Sequence, residues 1–181
     1  MLNKPGRMDE QEEQLEIVNE HGEVTGLAPR SVIHGNPSLI HRVVHVLVFN
    51  GKGELLLQKR SMNKDVAPGR WDTSVGGHVG AGEELSLSAK REMGEELGIS
   101  GLEVEYLYSY KHTNPYETEL VTTYRCTHEG MIRFNTDEID EVRHWRIDEI
   151  NESLGKGLFS DNFEDEFRTY LSLQTPRQSG P

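Results

Sequence analysis

The pattern of apolar and polar positions in the first half of the chain predicts two β-hairpins. The segment 15–30 reads as a short N-terminal hairpin that turns at His21 and Gly22. A stronger hairpin follows, in which the apolar runs 43–49 and 55–57 flank a turn that begins at Asn50. Because both runs are almost continuously apolar, we expect these strands to be buried on both faces of a sheet.

Two later segments carry the spacing of amphipathic helices. The first is predicted over 84–97 and ends before Gly98, and its buried stripe recurs at four-residue intervals: Leu85, Ala89, Met93, Leu97. The second is predicted over 160–173, capped by Ser160 or Asp161. Its inward positions are Phe163, Phe167, Tyr170 and Leu171.

The remaining strand predictions complete an α/β or α+β sandwich with a mixed sheet. A short strand is predicted at 72–75, and further strands are predicted at 102–112, 119–130 and 141–147. We expect one domain over 14–173, with polar tails at 1–13 and 174–181.

The composition argues against nucleic acid and membranes as binding partners. The net charge of −12 leaves no basic stripe for a nucleic-acid backbone, although a phosphate substrate could still be held through metal ions. No apolar run approaches the ~20 residues that cross a bilayer, so no membrane partner is expected. The single cysteine, Cys126, excludes an internal disulfide. The expected location is the cytoplasm.

Three carboxylates on the first predicted helix would destabilise the folded protein if nothing neutralised their charge. Glu92, Glu95 and Glu96 fall within an arc of about 100° that overlaps the edge of the buried stripe, so we expect all three to be half-buried. Like charges at this spacing repel, and burial increases the cost. A hard divalent cation such as Mg²⁺ resolves the conflict because it takes carboxylate, water and phosphate oxygens. A solvated acidic face is the plainer alternative.

The spacing around these carboxylates resembles the Nudix box over 77–99. Gly77 is followed after five residues by Glu83, and after seven more by the segment REMGEELGI. The resemblance implies a Nudix fold, an α/β/α sandwich, and hydrolysis of a diphosphate linked to another moiety with Mg²⁺ or Mn²⁺. It also implies metal ligation by Glu92, Glu95, Glu96 and the Gly77 carbonyl, an orienting ion pair between Arg91 and Glu83, and Glu95 as the general base.

A second set of residues resembles isopentenyl-diphosphate isomerase over roughly 14–150. The matching positions are His34, His41, His78, Glu117 and Glu119. In that enzyme such residues bind a metal of their own, so the set here is either a second metal site or a relic. Arg60 and Lys64 stand where the isomerase holds its diphosphate.

One departure argues against isomerase activity. The isomerase protonates its substrate with a cysteine directly before the Gly-His pair, and this chain has Gly76 there. We read Cys126, on a later strand, as an ordinary buried cysteine. The leading prediction is therefore a Mg²⁺-dependent hydrolase of a nucleoside-diphosphate-linked or other organic diphosphate. An isomerase with another proton donor and a non-catalytic nucleotide-binding module remain as alternatives.

The sequence leaves the substrate and the oligomeric state open. Pro115 and Tyr116 lie where different Nudix subgroups carry contradictory substrate markers. Glu138 and Glu141 could supply a further ligand or base, although such residues are more often solvated. Tyrosines that could stack on a base or line the core are Tyr108, Tyr110 and Tyr116. The N-terminal hairpin could pair in a homodimer, but an edge strand of a monomer would look the same.

Overall fold

A computed structural model describes residues 13–174, and within them a nine-stranded mixed sheet lies between helices. The strands are β1 (Gln14–Val18), β2 (Val24–Pro29), β3 (Ile40–Phe49), β4 (Leu55–Arg60), β5 (Trp71–Asp72), β6 (Val75–His78), β7 (Glu105–Thr113), β8 (Thr118–Thr127) and β9 (Ile139–Trp145). The helices are α1 (Arg30–Ile33), α2 (Leu85–Leu97), α3 (Ile147–Ser153) and α4 (Asp161–Gln174). The predicted tails lie almost entirely outside the described residues.

The N-terminal hairpin and both long helices are confirmed. Strands β1 and β2 pair antiparallel, and β2 lies at an end of the sheet. Helix α2 ends at Gly98, whose φ of 67° is the left-handed conformation that glycine adopts without strain. The predicted cap of α4 is Ser160, whose Oγ accepts a hydrogen bond from the Phe163 N–H at 3.1 Å. No helix within residues 13–174 is long and apolar enough to cross a membrane.

Strand β3 organises the sheet. It pairs in parallel with β8 along its whole length, from Ile40 opposite Thr118 to Phe49 opposite Thr127. Its other edge is shared in succession by β1, β6 and β4. The predicted hairpin of β3 and β4 therefore holds only at its turn, where Phe49 pairs with Leu55. Beyond that pair β4 diverges to join β5 and β9, and β6 occupies the opening.

The alternation of β3 side chains builds a core on each face of the sheet. Val44, Val46 and Val48 pack in the apolar cluster that includes the α2 stripe. Leu47 and Phe49 pack in the aromatic cluster that includes the inward face of α4. The expectation that these strands are buried on both faces is confirmed, and the layers form an α/β/α sandwich.

The strand predicted at 72–75 is wrong, because the chain breaks there into β5 and β6. Ser74, between them, donates from Oγ to the Leu56 carbonyl and accepts from the Val48 N–H at 2.9 Å. Its side chain thus bridges β3 and β4 where their backbones have separated. This bridge fixes the point from which β6 enters the opening.

Three boundaries also differ from the sequence prediction. The strand predicted over 141–147 runs from Ile139 to Trp145, because Ile147 already begins α3. Strand β7 begins at Glu105 rather than at 102, although Leu102 and Val104 still pack against the core. The short helices α1 and α3 were not predicted, since neither spans enough residues to show a helical period.

Candidate functional site

A cleft of about 980 Å³ opens where β3, β6 and α2 meet the first turns of α4. It is lined by the residues predicted for the Nudix box, the histidine–glutamate set and the diphosphate, with the exception of His41 and Glu83. The two constellations that the sequence suggested separately therefore share one cleft.

An arginine ties helix α2 to the chain that precedes it. Arg91 donates from Nε and Nη2 to the two carboxylate oxygens of Glu83, at 2.8 and 3.0 Å. The same guanidinium reaches the His78 carbonyl at 3.2 Å and Glu92 Oε1 at 2.6 Å. This fork lowers the pKa of Glu83 to about 2. The predicted orienting pair is present, and it ties α2 to β6.

Two of the three box carboxylates, Glu92 and Glu96, are held against β6. Glu92 occupies the space beside Gly77 that a Cβ would fill, so any larger residue at 77 would require Glu92 to move. Glu96 is 8% exposed and accepts a hydrogen bond from Gln58 Nε2 at 2.7 Å. Burial raises the pKa of Glu92 to about 7 and that of Glu96 to about 8. A cation placed between them would oppose both increases.

The third box carboxylate corrects a sequence prediction. Glu95 was expected to be half-buried with its neighbours, but its side chain is 60% exposed and lies 3.4 Å from Arg91 Nη1. The reason is its position on the helix, since it lies one residue away from the buried face that Met93 and Glu96 share. The structure thus brings Glu92 and Glu96 together and leaves Glu95 at the mouth of the cleft.

The five residues of the histidine–glutamate cluster converge at the other end of the cleft. The cluster consists of His34, His41, His78, Glu117 and Glu119. Candidate ligand atoms lie within 4.8 Å of one another in the group of three histidines, and also in the group of His41 with both glutamates. His34 Nε2 is 3.3 Å from both His78 Nε2 and Glu117 Oε2.

The electrostatics of this cluster suit a cation. Burial lowers the pKa of His34 to about 4 and that of His41 to about 3, so both imidazoles are neutral at pH 7. Burial also raises the pKa of Glu119 to about 8. His41 is fully buried, yet neither ring nitrogen has a hydrogen-bond partner among residues 13–174. A buried polar group without a partner is costly, and neutral imidazole is a good metal ligand.

The two predicted diphosphate-binding cations line the cleft, but each has an acidic partner. Arg60 Nη1 lies 3.1 Å from Asp72 Oδ2, and Lys64 Nζ lies 3.3 Å from Glu138 Oε2. Glu138 therefore stands beside a cation in the cleft wall. Glu141 lies on β9 opposite Lys59, and it is not among the lining residues.

The candidate tyrosines and the single cysteine lie either in the buried core or in the wall of the cleft. Tyr108 is buried and donates to the Glu166 carbonyl, and Tyr110 donates to Asn162 Oδ1 at 2.7 Å. Tyr116 is 37% exposed, and its ring meets that of His34 edge-on. Cys126 is buried beside Met93, and burial raises its pKa to about 11. It is an ordinary buried cysteine, as predicted.

Sequence reasoning missed several groups that shape the cleft. Asn162 donates to Glu119 Oε2 at 2.6 Å, and Glu13, assigned to the tail, lies 3.4 Å from His78 Nδ1. His45 and Glu166 form a buried pair at 3.1 Å. His45 could have been found, because it lies four residues after His41 and so shares its face of the strand.

The chain is similar in sequence and in fold to known proteins. Residues 39–166 match the family model described as NUDIX domain. The chain is 34% identical over 134 residues to the uncharacterized Nudix hydrolase YfcD of Escherichia coli, covering 72% of each. Among solved structures, DR0079 from Deinococcus radiodurans superposes with a TM-score of 0.72 and 26% identity, over 87% of this chain and 98% of that one.

A more distant structure shows the same fold with a ligand. The NUDIX domain of Shewanella oneidensis NrtR, complexed with ADP ribose, superposes with a TM-score of 0.57 and 14% identity, over 74% of this chain and 88% of that one. The fold, the intact box and the family match lead to one assignment. The chain belongs to the Nudix family and is a Nudix hydrolase.

Proposed function

We propose that this hydrolase cleaves the diphosphate bond of a nucleoside-diphosphate-linked or other organic diphosphate with Mg²⁺ or Mn²⁺. The observation that carries the proposal is the pair of carboxylates, partly buried Glu92 and buried Glu96, held side by side against glycines of β6. Two carboxylates in such a position are unfavourable unless a cation joins them. Divalent cations are the usual partners of carboxylates that face phosphate.

Different residues of the cleft would hold the cation, accept a proton and bind the phosphate groups. Glu92 and Glu96, with the Gly77 carbonyl, would hold the cation, and Arg91 keeps Glu92 in place through the contact at 2.6 Å. When bound, a divalent cation neutralises diphosphate charge and favours ionisation of a nearby water. Glu95, exposed at the mouth, would accept the proton of the attacking water. Arg60 and Lys64 would exchange their acidic partners for phosphate oxygens.

The histidine–glutamate cluster supports a second proposal, that the chain belongs to an isopentenyl-diphosphate-isomerase-like subgroup with its own metal site. The support is the convergence of His41 with both glutamates and the lack of a hydrogen-bond partner for either His41 ring nitrogen among the described residues. A bound metal here would help position the substrate. Gly76 offers no proton to a double bond, so hydrolysis remains the favoured activity.

A product screen by mass spectrometry tests the activity. The panel contains nucleoside diphosphates and triphosphates, nucleotide sugars, ADP-ribose, dinucleoside polyphosphates, coenzyme A and isopentenyl diphosphate, each with Mg²⁺ or Mn²⁺. We expect cleavage of one class, lost in both Glu95→Gln and Glu96→Gln. Dimethylallyl diphosphate as the product would favour the isomerase. Stable nucleotide binding without any product would favour the binding module and contradict our proposal.

Gly77→Ala tests the close approach of Glu92 to β6. The added methyl group would overlap the Glu92 carboxyl group, which must then move away from Glu96. We expect kcat/KM to fall by roughly 10²-fold, the scale for displacing one group that stabilises the transition state. Steady-state kinetics on the substrate from the screen measures the change. Gly26→Ala, on β2 where an added Cβ would meet Ile17 Cδ1 at 4.0 Å without overlap, is the control, and equal activity of both variants would contradict the placement of Glu92.

A further inference from the structure

A buried pair between the sheet and α4 has no part in the proposed function so far. His45 lies on β3, with its Nδ1 3.1 Å from Glu166 Oε1, and Thr123 Oγ1 donates to the same oxygen at 2.8 Å. The Glu166 side chain is fully buried, whereas the His45 side chain keeps 6% exposure. His45 is also one of the residues that line the cleft.

The surroundings of the pair favour a positive charge on His45. The second oxygen of Glu166 is buried and has no hydrogen-bond partner among residues 13–174. An ionised carboxylate in such a position requires a cation, and His45 is the group in contact with it. Burial alone would lower the pKa of His45, but the charge and hydrogen bond of Glu166 raise it to about 9. The ring is therefore an imidazolium at neutral pH, with both nitrogens as donors.

Gly76 opens the far edge of this ring to the cleft. Gly76 pairs with His45 across β6 and β3. The His45 Cδ2 and Nε2 atoms lie 3.1 and 3.2 Å from the point where a Cβ would stand on Gly76. Any side chain at 76 would cover Nε2. With glycine there, Nε2–H faces the cleft, and it has no hydrogen-bond partner among the described residues.

This donor differs from the other cations of the cleft. Arg60 and Lys64 direct their charges at Asp72 and Glu138, which a phosphate must displace. His45 meets its counter-ion through Nδ1, on the opposite side of the ring, so its cleft-facing N–H stays available. A fixed, charged donor in a cleft of this kind suits an anionic oxygen.

We propose that His45 Nε2–H, reached through the gap at Gly76, donates a hydrogen bond to a phosphate oxygen of the bound diphosphate. His45 is then a substrate-binding residue, with Glu166 and Thr123 as its positioning residues. The inference rests on the proposed function, since that function supplies the diphosphate. It also gives the glycine at 76 a role of its own.

Two variants test the His45 Nε2–H donor without removing the group that pairs with Glu166. Gly76→Ala retains both members of the His45–Glu166 pair and places a methyl group against the Cδ2–Nε2 edge of the ring, which must shift by a few tenths of an ångström. His45→Asn retains a donor toward Glu166 and removes the cleft-facing N–H. For both we expect KM to rise by about 10- to 100-fold, the scale of a hydrogen bond to a charged group, with kcat little changed. Gly26→Ala is the matched control and keeps the parent KM.

A spectroscopic readout is independent of turnover. The ¹⁵N signals of the His45 ring are followed while methylenediphosphonate, which cannot be hydrolysed at its bridge, is added with Mg²⁺. We expect the Nε2 signal to move in the parent protein and to stay unmoved in Gly76→Ala. An unmoved signal in the parent, or an unchanged KM in both variants, overturns the inference.

The two readouts also separate this inference from the proposed function. Hydrolysis with an unchanged KM in both variants removes the role of His45 and leaves the hydrolase standing. A ring signal that responds to methylenediphosphonate in a protein that hydrolyses no diphosphate removes the proposed function and keeps the phosphate-binding role. Absence of both hydrolysis and ring response overturns both.

Discussion

The Glu96→Gln variant is expected to lose roughly 10³-fold in kcat/KM while its metal-free form becomes more stable than the parent. Activity falls because an amide cannot hold a divalent cation as a carboxylate does. Stability rises because the parent buries Glu96 beside Glu92, and burial raises the Glu96 pKa to about 8. The glutamine can still accept the hydrogen bond from Gln58.

The pH dependence of that stability follows from the direction of the shift. Between pH 4.5, the pKa of Glu96 in the unfolded chain, and about pH 8, its pKa in the folded protein, Glu96 is protonated in the folded state and ionised in the unfolded state. The parent therefore loses stability relative to Glu96→Gln as pH rises through this window, by up to about 1.4 kcal/mol per pH unit. Below pH 4.5 the carboxyl group is protonated in both states, and the difference is constant.

Urea unfolding in the presence of a chelator, at several pH values, measures this difference. Glu95→Gln is the control, because its side chain is 60% exposed and its substitution should change stability by less than about 0.5 kcal/mol. Adding Mg²⁺ should stabilise the parent and not Glu96→Gln. Parallel pH profiles for the parent and Glu96→Gln would show that the Glu96 carboxylate is solvated, contrary to the structure.

The sequence predicted those parts of the fold that depend on neighbours along the chain. The stripe of α2, its stop at Gly98 and the cap of α4 at Ser160 are local features, and all are confirmed. The divergence of β4 from β3 was not predictable in this way. Its cause is pairing with β9, about 80 to 90 residues further on, and the side-chain bridge of Ser74.

The candidate site shows the same division. The spacing within 77–99 placed Glu92 and Glu96 correctly, because one helix carries both. Helical spacing overestimated the burial of Glu95, which lies just off the buried face of α2, and it could not show that Glu166 would meet His45 across 121 residues. A glutamate on the apolar stripe of α4 was nonetheless a signal, since a carboxylate at such a position requires a buried partner.

The second large effect concerns His41 of the histidine–glutamate cluster, where we expect His41→Leu to abolish one metal site. Mass-spectrometric metal analysis after dialysis against Mn²⁺ or Zn²⁺ should show one equivalent fewer than in the parent. The imidazoles of His34 and His41 stay neutral down to about pH 4, because burial lowers the pKa of His34 to about 4 and that of His41 to about 3, so mild acid does not protonate these two. His78→Ala should lose the same equivalent, because His78 lies in the same ligand group.

The free energy of unfolding, measured with and without metal, shows whether the histidine–glutamate cluster is a metal site or a buried relic that binds none. Without metal, His41→Leu should be at least as stable as the parent, since it removes two unpaired buried nitrogens that cost about 1–3 kcal/mol each. With free metal at roughly 1,000 times Kd, the parent gains about 4 kcal/mol and the order reverses. His128→Leu is the control, because His128 also has a buried nitrogen without a partner in residues 13–174 but lies in neither ligand group. If metal leaves the order of parent and His41→Leu unchanged, the cluster is a relic, because a site that binds metal must stabilise the fold that forms it.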